Sequence, residues 1–173
     1  MGETELTRSS IKFDGRILNR GFWLYVIDIH SADDRYLYVG RTGDSSSANA
    51  TSPFVRIGQH LDLRPNAKGN ALLRNLRSVG LDPCLCTMEM IAVGPIFPEE
   101  RDFSAHRLVR DRVAALECGL AHALRESGYK VLGQHTTSCE PDRKLLAEAL
   151  SLINARLAES RAEKSTLTDA GIS

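Results

Sequence analysis

FWLYVIDIHSADDRYLYVG, residues 22–40, decides the fold. Its first eight residues are apolar on both faces, as in a strand covered on two sides. HSADDR supplies turn chemistry, and RYLYVG, residues 35–40, returns as a second strand. The pair reads as a hairpin with a loop of several residues.

Outward from the hairpin, residues 45–51 are small and polar and read as a flexible insertion. Ser52 followed by Pro53 is an N-cap with proline at the first helical position, opening a helix that runs to Leu61. In LLRNLRSVG, Leu72 or Leu73, Leu76 and Val79 share one face of a second helix, and Gly80 ends it. CLCTMEMIAVG, residues 84–94, reads as the third strand. A loop, PIFPEERDFS, leads into a long helix over 105–127, with Val109, Val113, Leu116, Leu120 and Leu124 at helical spacing and Gly128 as its stop. A last helix over 142–163 carries Leu146, Leu150, Ile153 and Leu157, and STLTDAGIS follows as a tail. The order β, β, α, α, β, α, α predicts a small α/β sandwich: a three-stranded, mainly antiparallel sheet flanked by helices, with no internal repeat. Residues 1–20 read as a polar, partly ordered arm, 21–137 as the domain, and 138–173 as a C-terminal helix and tail.

At 173 residues, 42% hydrophobic and 25% charged, the chain has the balance of one soluble globular domain. No run of 18 apolar residues and no apolar N-terminal stretch is present, so the expected address is cytoplasmic, without a membrane. MGETEL lacks the serine or threonine that myristoylation wants at its sixth position. Cys84, Cys86, Cys118 and Cys139 show no zinc spacing and read as buried free thiols, with Cys84 and Cys86 on one face of the third strand. Formal charge is zero, 22 basic against 22 acidic residues. Between residues 50 and 80, however, Arg56, Arg64, Lys68, Arg74 and Arg77 face only Asp62, five less one giving +4. Such a stretch suits a polyanion or an ordinary solvated helix face.

Arg56 and His60 stand at i and i+4, on one face of the first helix. Tyr25 lies mid-strand, Tyr38 near the end of its partner strand, and Arg41 follows directly. Each has a plainer reading: strand tyrosines with satisfied hydroxyls, and a surface charge at a strand end. Glu117, between Leu116 and Cys118 near an apolar stripe, is a carboxylate that burial would penalise without a partner. Glu89 is a rival acid, expected on an exposed strand face. His30, His106 and His122 read as structural or exposed, and Arg110 with Asp111 as a solvated helix face.

In this order the residues resemble the GIY-YIG nuclease family. Trp23-Leu24-Tyr25 is similar to its first motif, Tyr38-Val39-Gly40 to its second, and Arg56 with His60 to its helix motif. KGNALLRNLRSVGL and the MEMI strand resemble the next helix and third strand, and Glu117 in VAALECGLAHAL best matches the metal-binding glutamate. The likeness covers residues 21–135. Tryptophan stands where the family has glycine, the loop over 42–52 is longer than in compact members, and the asparagine near the domain's end is absent, with Gln134 or His135 in its place.

The resemblance implies an endonuclease that hydrolyses DNA phosphodiester bonds with Mg²⁺, or Mn²⁺, held by Glu117. In that reading Tyr38 is the general base, its phenolate favoured by cations such as Arg41, and Tyr25 holds the site by hydrogen bonding. Arg56 offers a charged fork to phosphate, and His60 orients water, shares the base role or contacts the phosphate. A homodimer through the final helix would supply two sites for two nicks. The alternative is a catalytically drifted module of the same fold that binds nucleic acid or protein.

Overall fold

The computed structural model describes residues 6–170, and the side chains of residues 6–163. A short 3₁₀ turn, Gly15–Leu18, capped by Asp14, leads the chain into β1 (Phe22–His30). β2 (Arg35–Arg41) returns antiparallel, setting Tyr25 opposite Gly40 and Ile27 opposite Tyr38. On the other edge of β1 lies β3 (Thr87–Phe97), also antiparallel. β4 (Lys130–Leu132) pairs parallel to the free edge of β2, with Leu132 opposite Tyr38. The sheet therefore has four strands in the order β3-β1-β2-β4 and is mixed, where three mainly antiparallel strands were expected. Three residues are too few for alternation to show in a sequence, which is why β4 leaves no mark there.

The doubly apolar β1 is explained by helices on both faces. Phe22, Leu24 and Val26 pack with Val113, Leu116, Leu120 and Leu124 of α3 (Phe103–Glu126) and with Ala149, Ile153 and Leu157 of α4 (Arg143–Ala170). Tyr25, Ile27 and Ile29 pack with Ile57 of α1 (Pro53–His60) and Leu72 and Leu76 of α2 (Ala71–Ser78). Alternation along one strand thus feeds two cores. The α4 stripe considered for a dimer is buried within the chain, so contact between copies would have to use other surface. The backbone of α4 continues to Ala170, where a tail was expected from residue 165; residues 1–5 and 171–173 lie outside the described residues.

Two local expectations are corrected. Asp82 caps a 3₁₀ turn at Pro83–Leu85 and delays β3 to Thr87, leaving Cys84 exposed and Cys86 half-buried; all four cysteines are free, and none is fully buried. The insertion expected to be flexible, residues 45–51, is strapped down together with its flanks from distant parts of the chain. The Thr42 hydroxyl donates to the Gly21 carbonyl (2.5 Å) and accepts from the Trp23 amide (2.8 Å). The Ala50 amide donates to Glu99 (2.9 Å), which also pairs with Arg20, and His106 Nε2 donates to the Asp44 carbonyl (2.9 Å). Only residues 45–47 are left as an exposed tip. Among the described residues no helix is long and apolar enough to cross a membrane.

Candidate functional site

The shortness of β4 makes the site. β4 ends opposite Tyr38, so the far end of β2 has no strand on its outer edge. There a cavity of about 300 Å³ opens, lined by Tyr38 and Arg41 of β2, Asn75 of α2, Glu117 and Cys118 of α3, and Gln134. Side chains from both layers of helices meet around this uncovered edge. His135 closes part of it: Nε2 donates to the Val39 carbonyl (3.1 Å), and Nδ1 accepts from Arg125 (3.1 Å). With both ring nitrogens engaged, His135 is a latch, and Gln134 is the exposed amide of the two residues considered in place of the family asparagine.

Behind Tyr38 lies a dry aromatic cluster. The Tyr25 hydroxyl and His60 Nε2 share a hydrogen bond of 2.6 Å, and the Tyr38 and His60 rings meet edge-on at 5.1 Å. Gly40 is required for it: a Cβ there would lie 2.5 Å from the Tyr25 ring and hydroxyl. Trp23 fits in the same way, because a Cβ at Gly94 would lie 2.9 Å from its indole. Burial and the neighbouring Arg56 charge bring His60 down to about 4, so its imidazole is neutral at pH 7. Its Nδ1 is buried with no hydrogen-bond partner.

Glu117 and Arg41 form the charged wall of the cavity. Arg41 Nε lies 3.1 Å from Glu117 Oε2, an ion-pair contact off the hydrogen-bond direction, so that nitrogen is buried with no acceptor. Arg41 Nη1 donates to the Gly43 carbonyl (3.0 Å). Burial raises the Glu117 pKa above the usual carboxylate value, with Arg41 and Arg56 only partly opposing it. Tyr38 is pushed up to about 12, by burial and then by the Glu117 charge, and the cations acting against the shift are Arg56 and Arg74. The expectation that Arg41 would favour the phenolate is therefore corrected: Arg41 is engaged with Glu117. At pH 7 the Tyr38 phenolate lies about 7 kcal/mol uphill.

Arg56 and His60, four apart on α1, do different jobs. His60 is 2% exposed and turned to the tyrosines. Arg56 stays partly exposed, its Nη1 donating to Gln59 (3.0 Å) and lying 4.0 Å from Asp44, while its Nε is buried with no acceptor. Neither lines the cavity, but the Arg56 charge acts on Tyr25, Tyr38, His60 and Glu117 alike.

A divalent cation fits this donor set in one way. Among the described residues no group of three or more His, Cys, Asp or Glu could cage an ion. Mg²⁺ keeps several waters and needs only a carboxylate or two, and Glu117, destabilised as an anion beside a polar cavity, is the available ligand. Sequence reading missed Asn75 and Cys118, which line this cavity, and Arg74, whose charge acts on Tyr38; the +4 stretch was the one signal for Arg74. It also placed Glu89 on an exposed face. Glu89 is half-buried, accepting from Arg156 Nε (2.7 Å) and the Ser160 hydroxyl (2.6 Å), and belongs to the α4 packing. Arg110 and Asp111 bond to each other at 2.6 Å, with Arg110 partly buried rather than fully solvated.

No family model matches the chain, and neither a curated protein nor a solved structure matches it.

Proposed function

We propose that this protein is a divalent-metal-dependent endonuclease that hydrolyses DNA phosphodiester bonds, in the manner of the GIY-YIG nucleases its sequence resembles. The observation that carries the reading is one open cavity where a partly buried carboxylate, a phenol and the Arg41 guanidinium come together, with the Arg56 guanidinium, which also has an unmatched nitrogen, acting on the site from outside the lining. A phosphodiester supplies the acceptors those nitrogens lack, and arginine forks suit its paired oxygens.

In this reading Arg41 and Arg56 hold the phosphate and balance charge gathering on its oxygens. Tyr38 first loses its proton to solvent; a water oxygen then bonds to phosphorus as a P–O ester bond breaks, the Tyr38 phenolate takes the water's proton, and the departing sugar oxygen is protonated from solvent. Tyr25 and neutral His60 fix the Tyr38 ring. Glu117 would hold the cation, which when bound supplies positive charge at the phosphate and offsets the carboxylate that now disfavours the Tyr38 phenolate.

A second reading has its own support. Arg41 already faces Glu117, and Tyr38 is held protonated, as expected of a drifted module that binds nucleic acid or protein without cutting. Supercoiled plasmid separates the two. The nuclease nicks it with Mg²⁺ or Mn²⁺ and not in EDTA, and Arg56→Ala and Glu117→Gln each slow nicking by about 10²–10³-fold. Folded wild type that leaves duplex and branched DNA intact with both metals, yet shifts DNA in a salt-dependent way, is the binding module. Unaltered cutting by both variants rules out this site.

A further inference from the structure

We propose that Cys84, Cys86 and Met88, where the chain enters β3, bind a soft monovalent metal ion, Cu⁺, through two thiolates and a thioether. None of the three lines the cavity at the end of β2, and the site stands whether or not that cavity cuts DNA.

Cys84-Leu85-Cys86-Thr87-Met88-Glu89-Met90 sets sulfur at every second position. Cysteine is among the residue types most often fully buried, yet Cys84 is exposed and Cys86 half-buried, both as free thiols. One tight turn holds the pair. The Asp82 carboxylate accepts from the Cys84 amide (2.9 Å), the Pro83 carbonyl from the Cys86 amide (3.3 Å), and the Asp82 carbonyl from the Cys86 thiol (3.3 Å). Two residues apart, their Cα atoms lie no more than about 7 Å from each other. The sulfurs of a linear S–metal–S unit stand roughly 4.6 Å apart, twice a bond of about 2.3 Å, a separation that rotation of the two side chains can reach.

The third sulfur is placed by the strand. Cys86, Met88 and Met90 follow one another at the two-residue period of β3, and all three pack on the same face, against the core of Tyr25, Ile27 and Ile29. Met90 stands opposite Ile27, in mid-sheet, and serves that core. Met88 stands opposite Ile29, near the turn, and its unbranched side chain has the rotamers to reach back over Cys86. β3 forms an edge of the sheet, and exposed Cys84 gives an ion its way in.

Donor type selects the metal. Thiolate and thioether favour Cu⁺, whereas Mg²⁺ and Ca²⁺ take oxygens. Zn²⁺ shares the liking for thiolate but closes a structural site with four Cys, His or carboxylate ligands, and among the described residues no group of three or more of these could hold it. A monovalent d10 ion needs only two or three soft donors. Burial, then the Asp82 charge, pushes the Cys86 thiol pKa up, so this thiol keeps its proton until the ion displaces it. Binding forms the metal–sulfur bonds, releases the thiol protons to solvent and moves no electron. Cys118 and Cys139 have no second sulfur near them in the sequence.

The test is anaerobic titration of the full, reduced chain into the Cu⁺ complex of bicinchoninate, whose colour fades as copper leaves it. Wild type should draw off one equivalent. Cys84→Ser and Cys86→Ser should each weaken the affinity about 10²-fold or more, and Met88→Leu about tenfold, while Cys118→Ser and Cys139→Ser keep the wild-type value. Equimolar Zn²⁺ should leave the copper in place. Because Cys84 is exposed, Cys84→Ser probes the site without touching the core. The proposal is overturned if wild type leaves the bicinchoninate complex intact, if Cys118→Ser or Cys139→Ser loses as much as Cys84→Ser, if Met88→Leu binds as wild type does, or if Zn²⁺ displaces the copper. Plasmid nicking is no part of the readout, so failure of the nuclease reading and failure of the copper site show separately.

Discussion

Two carboxylates in this molecule, Asp28 fully buried and Glu117 partly buried, each face an arginine, and they behave in opposite ways. Asp28, on the α4 side of the sheet, accepts from Arg35 Nε (2.8 Å), Arg35 Nη2 (3.0 Å) and His30 Nε2 (3.0 Å). Burial works against its charge, yet those bonds hold its pKa below the ordinary value. Glu117, at the end of β2, has one misaligned contact with Arg41, and burial wins, so its pKa rises. A satisfied charge network is complete in itself and stiffens the fold; an unsatisfied one beside a cavity stores affinity for a ligand. The difference lies in the number of aligned donors, not in the type of residue.

The largest effects come from deleting each carboxylate in turn. Asp28→Ala leaves Arg35 without its partner and should destabilise by about 3 kcal/mol, lowering Tm by roughly 6–12 °C for a chain of this size. Any cutting by the folded fraction should persist. Glu117→Gln should do the reverse: Tm unchanged or raised, because it removes a charge that folding disfavours, with metal-stimulated cutting lost. Thermal unfolding and plasmid nicking on both variants measure this. A Glu117→Gln protein that melts as early as Asp28→Ala would place Glu117 with the structural network.

The same contrast explains what could be read from the sequence. Residues 22–40 announced a doubly covered hairpin because every side chain carries the signal locally, and Ser52-Pro53 marked the start of α1 for the same reason. β4 was too short to carry a pattern, and Asp82-Pro83 hid a turn before β3. Residues 45–51 looked flexible because the groups that anchor them and their flanks, Gly21, Glu99 and His106, lie 21, 49 and 62 residues from the positions they hold, beyond any local pattern. At the site, spacing correctly joined Arg56 and His60 on one helix, but it could not tell that one faces inward to the tyrosines and the other stays half in solvent. Nor could it show that Arg41 is taken up by Glu117. Residue types were readable; which partner each one meets was not.

Two glycines give a smaller version of the comparison. At Gly40 a methyl group would meet the rigid Tyr25 ring at 2.5 Å, whereas at Gly119 it would meet the far end of the Leu146 side chain at 2.8 Å. Gly40→Ala should destabilise by about 2 kcal/mol, the common cost of overpacking, and should also reduce any cutting as Tyr25 moves off His60. Gly119→Ala, where Leu146 can turn aside, should cost about 1 kcal/mol and leave cutting intact. Urea unfolding with nicking rates on both variants tests this. If Gly40→Ala loses stability but no activity, the tyrosine–histidine cluster belongs to the core alone.

The most gradual effect is in pH, and it separates the two regions by acid threshold. His60 has a pKa of about 4 in the folded protein, against about 6.5 in the unfolded chain. Below pH 6.5 the unfolded chain therefore takes up a proton that the folded protein refuses until about pH 4, so stability falls with pH across that window and levels off beneath it. The slope from this one group is at most about 1.4 kcal/mol per pH unit. Asp28 acts later: its stabilisation is complete above the ordinary carboxylate pKa and is lost only as pH drops through its lowered folded value. Urea unfolding at pH 7, 6, 5 and 4.5 should show His60→Gln flattening the decline and Asp28→Ala retaining it. A wild-type slope in His60→Gln would mean that water reaches the imidazole, and that the cluster behind Tyr38 is not dry.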